Sequence, residues 1–417
     1  MLQAAAASAF VQPELQRHRD RRQKRELFGG AVGADLGAVG NVLAHTSIMT
    51  KGCDRVPVSI LRVAIGVIGA WSVLWTLTSA IKTVVLPRAT SSLLTRTYFA
   101  SIRSVFDAIA SPKRSFAFRD RVLALFAPVA LIALPGLWVT LVIGGFTAIF
   151  WGSGVNPLSE AFVMSGSSLL TLGFLRPQGI GRTAAAFVEA GIGLGLVSLM
   201  ISYLPTIYAA FSRREALVGM LEVRAGSPPD PAQLITRYSR INWLESLHDD
   251  LFVRWEEWFI EVEESHTSQP TLAFFRSPLP ERSWITAAGC VLDAAAIAES
   301  TLEREKDARA AIMMRTGWQC LRRISDFFGV RYDPDPLPDA PISVTREQFD
   351  QLCAELEGAD VALKADRDQA WKDFAGWRVN YDAVLVQLAA LIVAPPGKWS
   401  SGEVMGSRLK YDRRRRR

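Results

Sequence analysis

The stretch Ser165-Gly166-Ser167-Ser168-Leu169-Leu170-Thr171-Leu172-Gly173-Phe174 is small, hydroxyl-rich and uncharged, and it lies between two long apolar runs. Irregular backbone at membrane depth is tolerated only where it is buried in protein or lines water. Its chemistry would be that of main-chain carbonyl oxygens. An extended Thr171, Leu172, Gly173 and Phe174 can offer them in place of the water around a cation, with Gly173 supplying a backbone conformation that residues with side chains resist. Ahead of this strand Asn156-Pro157 marks a turn, and Leu158 to Leu170 reads as a short helix that re-enters the membrane. The carboxyl end of such a helix carries the negative end of its aligned peptide dipoles, which suits a cation.

The elements that must position this segment follow from composition. The chain has 417 residues, 49% of them hydrophobic, and a mean hydropathy of +0.17, too apolar for an average soluble protein and too charged for a purely membrane one. Val63 to Ile81 and Val122 to Trp151 hold no charge, and Thr183 to Phe211 holds only Glu189. All three are long enough to span a bilayer, which takes about 20 residues. Beyond Ser212, charged and Trp-rich helical patterns replace the apolar runs as far as Val393. The fold class expected is therefore all-α: a helical integral membrane protein with a re-entrant helix, plus a soluble α-helical C-terminal domain. The expected boundaries are an N-terminal extension read as disordered (1–58), a first transmembrane helix (59–86), a basic loop (87–121), a span-loop-span module (122–211), a helical domain (212–395) and a basic tail (396–417).

Net charge is +6, but the basic residues cluster beside the apolar runs, where they answer to the rule that Lys and Arg stay in the cytoplasm; nucleic acid is not expected as a partner. The 87–121 loop carries Arg88, Arg96, Arg103, Lys113, Arg114, Arg119 and Arg121 against Asp107 and Asp120, and Arg213-Arg214 follow the third span. Both flanks are placed inside, so Gly152 to Gly181 is placed outside, in a multi-pass protein of the cell membrane. The amino terminus then also falls outside, against the preference of Arg17, Arg19, Arg21, Arg22, Lys24 and Arg25. Three readings stay open there: a different span count, translocation against the bias, or residues 1–48 as a translational extension with Met49 as the start. No secretory signal is apparent.

A span, a re-entrant helix, a Thr-x-Gly-aromatic strand and a second span resemble the pore module of potassium channels over Val122 to Phe211. The resemblance implies that Thr171, Leu172, Gly173 and Phe174 correspond to the first four residues of a Thr-Val-Gly-Tyr-Gly selectivity filter, that four copies surround one pore, and that K+ is the permeant ion. Where that family has a second Gly followed by Asp, this chain has Leu175 and Arg176. A left-handed backbone at Leu175 would cost on the order of 1–3 kcal/mol, and four copies of Arg176 would repel cations. As a whole the chain resembles actinobacterial-type membrane proteins in which a channel-like region precedes a helical cytoplasmic part.

Around the strand, Ser167 and Ser168 are expected to support the loop. Glu189 is an ionisable residue at membrane depth and a functional candidate on that ground, expected to brace the loop through Ser165, Ser167 or Ser168. In the third span Gly191, Gly193 and Gly195 recur at spacing two and Pro205 removes a backbone hydrogen bond. Gly193, Gly195 and Pro205 are hinge candidates, with close helix packing as the plainer reading of the glycines.

In the C-terminal half, helices are expected at Ala232–Ser265, Ser283–Ser300, Ala308–Phe328, Arg346–Glu357 (capped by Thr345) and Asp366–Val393, with Asp333-Pro334-Asp335-Pro336 in the longest loop. Glu263 and His266 have the Glu-x-x-His spacing of di-iron ligands, but no second copy of the motif occurs. A solvated helix face is the reading preferred there, and no catalytic residue, metal ligand or cofactor is expected. Cys53, Cys290, Cys320 and Cys353 are too scattered for a disulfide frame or zinc site. Trp371, Trp377 and Tyr381 read as core. The tail, Lys410 and Arg413 to Arg417, could meet anionic lipid or simply stay disordered. Two functions remain, neither of them enzymatic: a tetrameric cation pore, or a non-conducting membrane anchor that presents the helical half to a cytosolic partner. A membrane-tethered enzyme rests on the Glu263–His266 spacing alone.

Overall fold

Continuous apolar runs cannot leave backbone amides unpaired in lipid, so they must coil. The computed structural model describes residues 58–84, 92–305 and 307–400. Among the described residues no strand forms; one isolated antiparallel bridge joins Leu302 to Leu363. Three helical stretches are long and apolar enough to cross a membrane: Ile60–Val84, Phe116–Gly152 and Ile180–Ala225.

The first of these is α1, Val58–Val84. Next come α2, Leu93–Ile109, and α3, Phe116–Ala124, inside the segment expected as a basic loop. The segment between the first two long apolar helices thus holds helices of its own, for a physical reason. Tyr98, Phe99, Ile102 and Phe106 fall on one helical face and pack on Phe126, Ala127 and Ala130, and Tyr98 Oη donates to the Ala130 carbonyl at 2.8 Å. The positive charges masked an amphipathic pattern. Ser92 caps α2, its hydroxyl accepting from the Thr95 amide.

Helix α4, Phe126–Gly152, approaches α1 at backbone distance. A Cβ on Gly69 would strike the Gly145 carbonyl, and one on Gly145 would lie 2.6 Å from Val73 Cγ2. Small residues allow such close approach where no hydrophobic force drives helices together. A short helix α5, Leu158–Leu169, packs against α4 and against α6, Ile180–Ala225.

Helix α6 runs unbroken for 46 residues, through Pro205 and across residue 212. At 1.5 Å per residue that is about 69 Å, more than twice the roughly 30 Å of a hydrocarbon core. Its last turns, with Val218, Leu221 and Ala225, enter the hydrophobic core of the C-terminal half. One continuous helix thus serves both regions.

That half consists of α7 (Pro231–Arg240), α8 (Val253–Ser268), α9 (Trp284–Thr301), α10 (Ala308–Phe327), α11 (Arg346–Glu357), α12 (Arg367–Arg378) and α13 (Asp382–Ile392). Thr345 caps α11 with a full capping box to Gln348. Two expected helices are each split. The Ala232–Ser265 helix ends at Arg240 because Asn242 turns left-handed (φ 57°), letting the Trp243 amide close on the Tyr238 carbonyl at 2.8 Å. Short 3-10 and π turns fill the gap before α8. The Asp366–Val393 helix breaks after Arg378, where the Asn380 side-chain amide donates to the Gly376 and Trp377 carbonyls.

All of α9 is buried, so its single mid-helix carboxylate, Asp293, needs partners. It receives Arg378 Nη1 and, at 2.9 Å, Tyr381 Oη. Burial raises the Asp293 carboxyl, and Arg378 pulls it back down. Tyr381 is fully buried, and Trp371 and Trp377 pack against the same core. Cys290, Cys320 and Cys353 are buried free thiols; Cys53, residues 1–57 and the Lys410–Arg417 tail lie outside the described residues.

Candidate functional site

The turn between α4 and α5 is clamped at the end of the long apolar helices away from the C-terminal half. Arg182, in the first turn of α6, donates to the Ser153 carbonyl at 2.5 Å and to its hydroxyl at 3.2 Å. Arg62 donates to Asn156 Oδ1 at 3.1 Å and lies over the Trp151 ring at 5.3 Å. These contacts fix where α5 starts.

Helix α5 buries Ala161, Met164, Ser165, Ser167 and Leu169 and leaves Phe162 and Val163 exposed. Ser165 Oγ lies 2.5 Å from Glu189 Oε1 and 3.0 Å from the Ile143 carbonyl. Glu189 is wholly buried, and its second oxygen has no protein partner among the described residues. Of the three serines expected as candidates for Glu189, Ser165 is the one that meets it.

After Leu169 the chain leaves the helix and passes without regular secondary structure through Leu172, Gly173 and Phe174. Ser167 holds both ends of this return: its carbonyl accepts from the Leu172 amide at 2.8 Å, and its hydroxyl accepts from the Phe174 amide at 2.7 Å. Ser168 contributes differently. Its hydroxyl turns back to the Met164 carbonyl and only its own carbonyl reaches Thr171.

Gly173 has φ +71° and Thr171 has φ +54°. The left-handed backbone considered for Leu175 is therefore found at Thr171 instead, while Leu175 packs partly buried against the core of the spans. Thr171, Leu172, Gly173 and Phe174 are all exposed, Phe174 to 70%, and so is Arg176.

Of the hinge candidates, Gly193 has a specific seat. A Cβ there would run into the Leu169 carbonyl oxygen, so Gly193 lets the end of α5 rest directly on α6; nothing lies within 4 Å of a Cβ at Gly195. Pro205 lies within the unbroken α6. Packing is what the structure assigns to Gly193.

The Glu263–His266 spacing does not form a pair. Glu263 takes Arg323 in an ion pair, and His266 is fully buried, which corrects its placement on a solvated face. Arg214 Nη1 meets His266 Nε2 at 3.1 Å and the Leu272 carbonyl at 2.8 Å, while its other nitrogens hold Glu215 and the Phe275 carbonyl. Trp258 Nε1 donates to the Arg214 carbonyl at 3.1 Å. A buried arginine on α6 is thus wired to α8 just where α6 enters the C-terminal core. Sequence reasoning missed this joint; the available signal was Arg214 falling in register with the apolar positions Ile207, Val218 and Leu221. Among the described residues no group of three His, Cys, Asp or Glu side chains could hold a metal ion.

Burial first, and the Arg214 charge second, hold the His266 imidazole well below its ordinary value of 6.5. The native state therefore keeps His266 neutral where the unfolded chain takes up a proton, and stability contributed here is lost as pH falls below 6.5. His266→Gln is expected to flatten the acid limb of a stability-versus-pH curve relative to the parent. Equal slopes between pH 7 and 5, measured by thermal unfolding in detergent, would contradict it.

Comparison with protein-family models, curated proteins and solved structures finds no match to this chain.

Proposed function

We infer that this chain is a potassium-channel-like protein of the cell membrane, in which four copies bring the Thr171–Phe174 segment to a shared aqueous axis and conduct a cation, K+ by resemblance. The observation that carries this reading is the path of residues 158–174. A short helix packs between two long apolar ones with its last residue, Leu169, seated on Gly193, and the chain then turns back without regular secondary structure, tethered by Ser167. In a single copy, Thr171 to Phe174 are exposed, as this segment would be if its neighbours were the same segment in other copies.

The carbonyl end of α5 sits against this return, where its dipole favours positive charge. Glu189 and Ser165 brace the helix from the α6 side. The proposed role of the C-terminal half is gating or assembly, since α6 runs without a break from Gly193 into that half. Arg176 favours a second reading, a non-conducting anchor that keeps the same scaffold and presents its helical half to a cytosolic partner, because an exposed cation one residue beyond Leu175 would repel ions at the mouth.

The test is barium-sensitive rubidium uptake into liposomes that contain the full chain. Gly173 adopts φ +71°, so Gly173→Ala strains the segment and is expected to lower uptake about tenfold or more. Uptake unchanged by that substitution removes the filter assignment. A fourfold oligomer without uptake selects the anchor.

A further inference from the structure

A cavity of about 510 Å³ opens where the spans meet the C-terminal half. It is bounded by the last turn of α1, by α2, by the start of α4, by Tyr203 of α6, and by the ends of α8 and α10 with the chain that follows each. None of the residues in the conduction reading line it.

Its chemistry has three parts. The first is charge: Lys82, Arg96 and Arg103 line it against one carboxylate, Asp326. Arg103 is engaged by Asp107 and the Leu391 carbonyl, and Asp326 accepts from Tyr332 at 3.0 Å. Lys82 and Arg96 are exposed, and among the described residues neither meets a carboxylate.

The second part is a polar shelf. Thr83 and Thr95 both line the cavity, with hydroxyls 2.8 Å apart, in a knot completed by Ser79 and Ser92. Such hydroxyls can rotate to donate to an added acceptor. Nearby, Gln269 Oε1 is buried and has no protein partner among the described residues.

The third part is apolar. Phe99, Phe126, Phe274 and Tyr203 form the inner wall, and Phe126 packs edge-on against Phe274 at 5.4 Å. A ligand that satisfies all three is anionic and hydrogen-bonding at one end and hydrocarbon at the other. Basic pockets between membrane helices at the cytoplasmic side suit anionic head groups, and the volume lies within the range of small-molecule sites.

We propose that this cavity binds one anionic phospholipid, its phosphate held by Lys82 and Arg96 over the Thr83–Thr95 shelf and its glycerol and upper acyl chain against Phe99, Phe126 and Phe274. The bound lipid bridges α1, α2 and α4 to the segment Pro270–Phe274 of the C-terminal half. This inference is independent of conduction.

The experiment is native mass spectrometry of the full chain in detergent, titrated in parallel with phosphatidylglycerol, phosphatidylcholine and glycerol 3-phosphate. One phosphatidylglycerol per chain is expected, in preference to phosphatidylcholine. The Lys82→Gln/Arg96→Gln double variant is expected to weaken it about 30-fold, roughly fivefold per basic side chain. Arg240→Gln, on the exposed side of α7, should leave it unchanged. Equal binding of the two lipids, or phosphatidylglycerol retained by the double variant, overturns the proposal. Glycerol 3-phosphate that binds as tightly as the lipid also overturns it, because the site would then recognise a soluble phosphate and the aromatic wall would contribute nothing.

Discussion

Arg378→Leu is expected to lower the unfolding free energy of the C-terminal half by about 3–5 kcal/mol, the cost of removing one partner from a buried charge network. Arg378 is wholly buried. It pairs with Asp293, bonds Asp382 at 2.9 Å, and donates to the Trp399 carbonyl at 2.7 Å. Leucine would leave Asp293 with Tyr381 alone, and Asp382 with only the Ser343 amide and hydroxyl.

The sign of its pH dependence follows. Burial already raises the Asp293 carboxyl and Arg378 opposes that rise, so the variant's carboxyl moves further up and is neutralised sooner on acidification. The deficit should therefore shrink as pH falls. Asp293→Asn combined with Arg378→Leu should recover part of the loss, since a neutral amide costs less to bury than an unpaired charge. Chemical denaturation in detergent that gives a deficit below about 1 kcal/mol, with no recovery in the double variant, would mean that water reaches the network.

Gly193→Val is the second large effect, and it separates two glycines that look alike in sequence. At Gly193 a new Cβ meets the Leu169 carbonyl, a backbone atom that cannot rotate aside. Helix α5 must shift, at a cost of about 3 kcal/mol, the upper end of ordinary overpacking. At Gly195 the same Cβ meets nothing within 4 Å, and valine there should stay within about 0.5 kcal/mol of the parent, since it restores helix propensity. Thermal unfolding of the two variants side by side decides the matter. On the conduction reading, Gly193→Val should also abolish rubidium uptake, because Thr171 to Phe174 are carried by the end of α5. Similar behaviour of the two variants would leave α5 without a seat on α6.

How much of this was legible beforehand varies with the kind of signal. Thr345 announced the start of α11 because an N-cap is local chemistry, and the structure adds the reciprocal bond from Gln348. Helix α2 was overlooked because Arg96 and Arg103 drew attention to charge while Tyr98, Phe99, Ile102 and Phe106 carried the fold. The split of the expected Asp366–Val393 helix rested on one asparagine, Asn380, whose side chain competes for main-chain carbonyls. Such competition is invisible in apolar periodicity.

The sequence by itself determined the three long apolar runs, the helical character of the described chain and the hydroxyl-rich interruption between the second and third runs. Each of these is written in consecutive residues, and backbone hydrogen bonding in lipid leaves a long apolar run no alternative to a helix. Only the tertiary structure decided which charges meet. Asp293 and Arg378 are 85 residues apart in the chain and Arg214 and His266 are 52 apart. A buried charge is stable only beside its particular partner, and folding, not spacing, selects that partner. The seat of α5 on Gly193 and the basic cavity beside Lys82 belong to the same class, set by the approach of helices that no local pattern specifies.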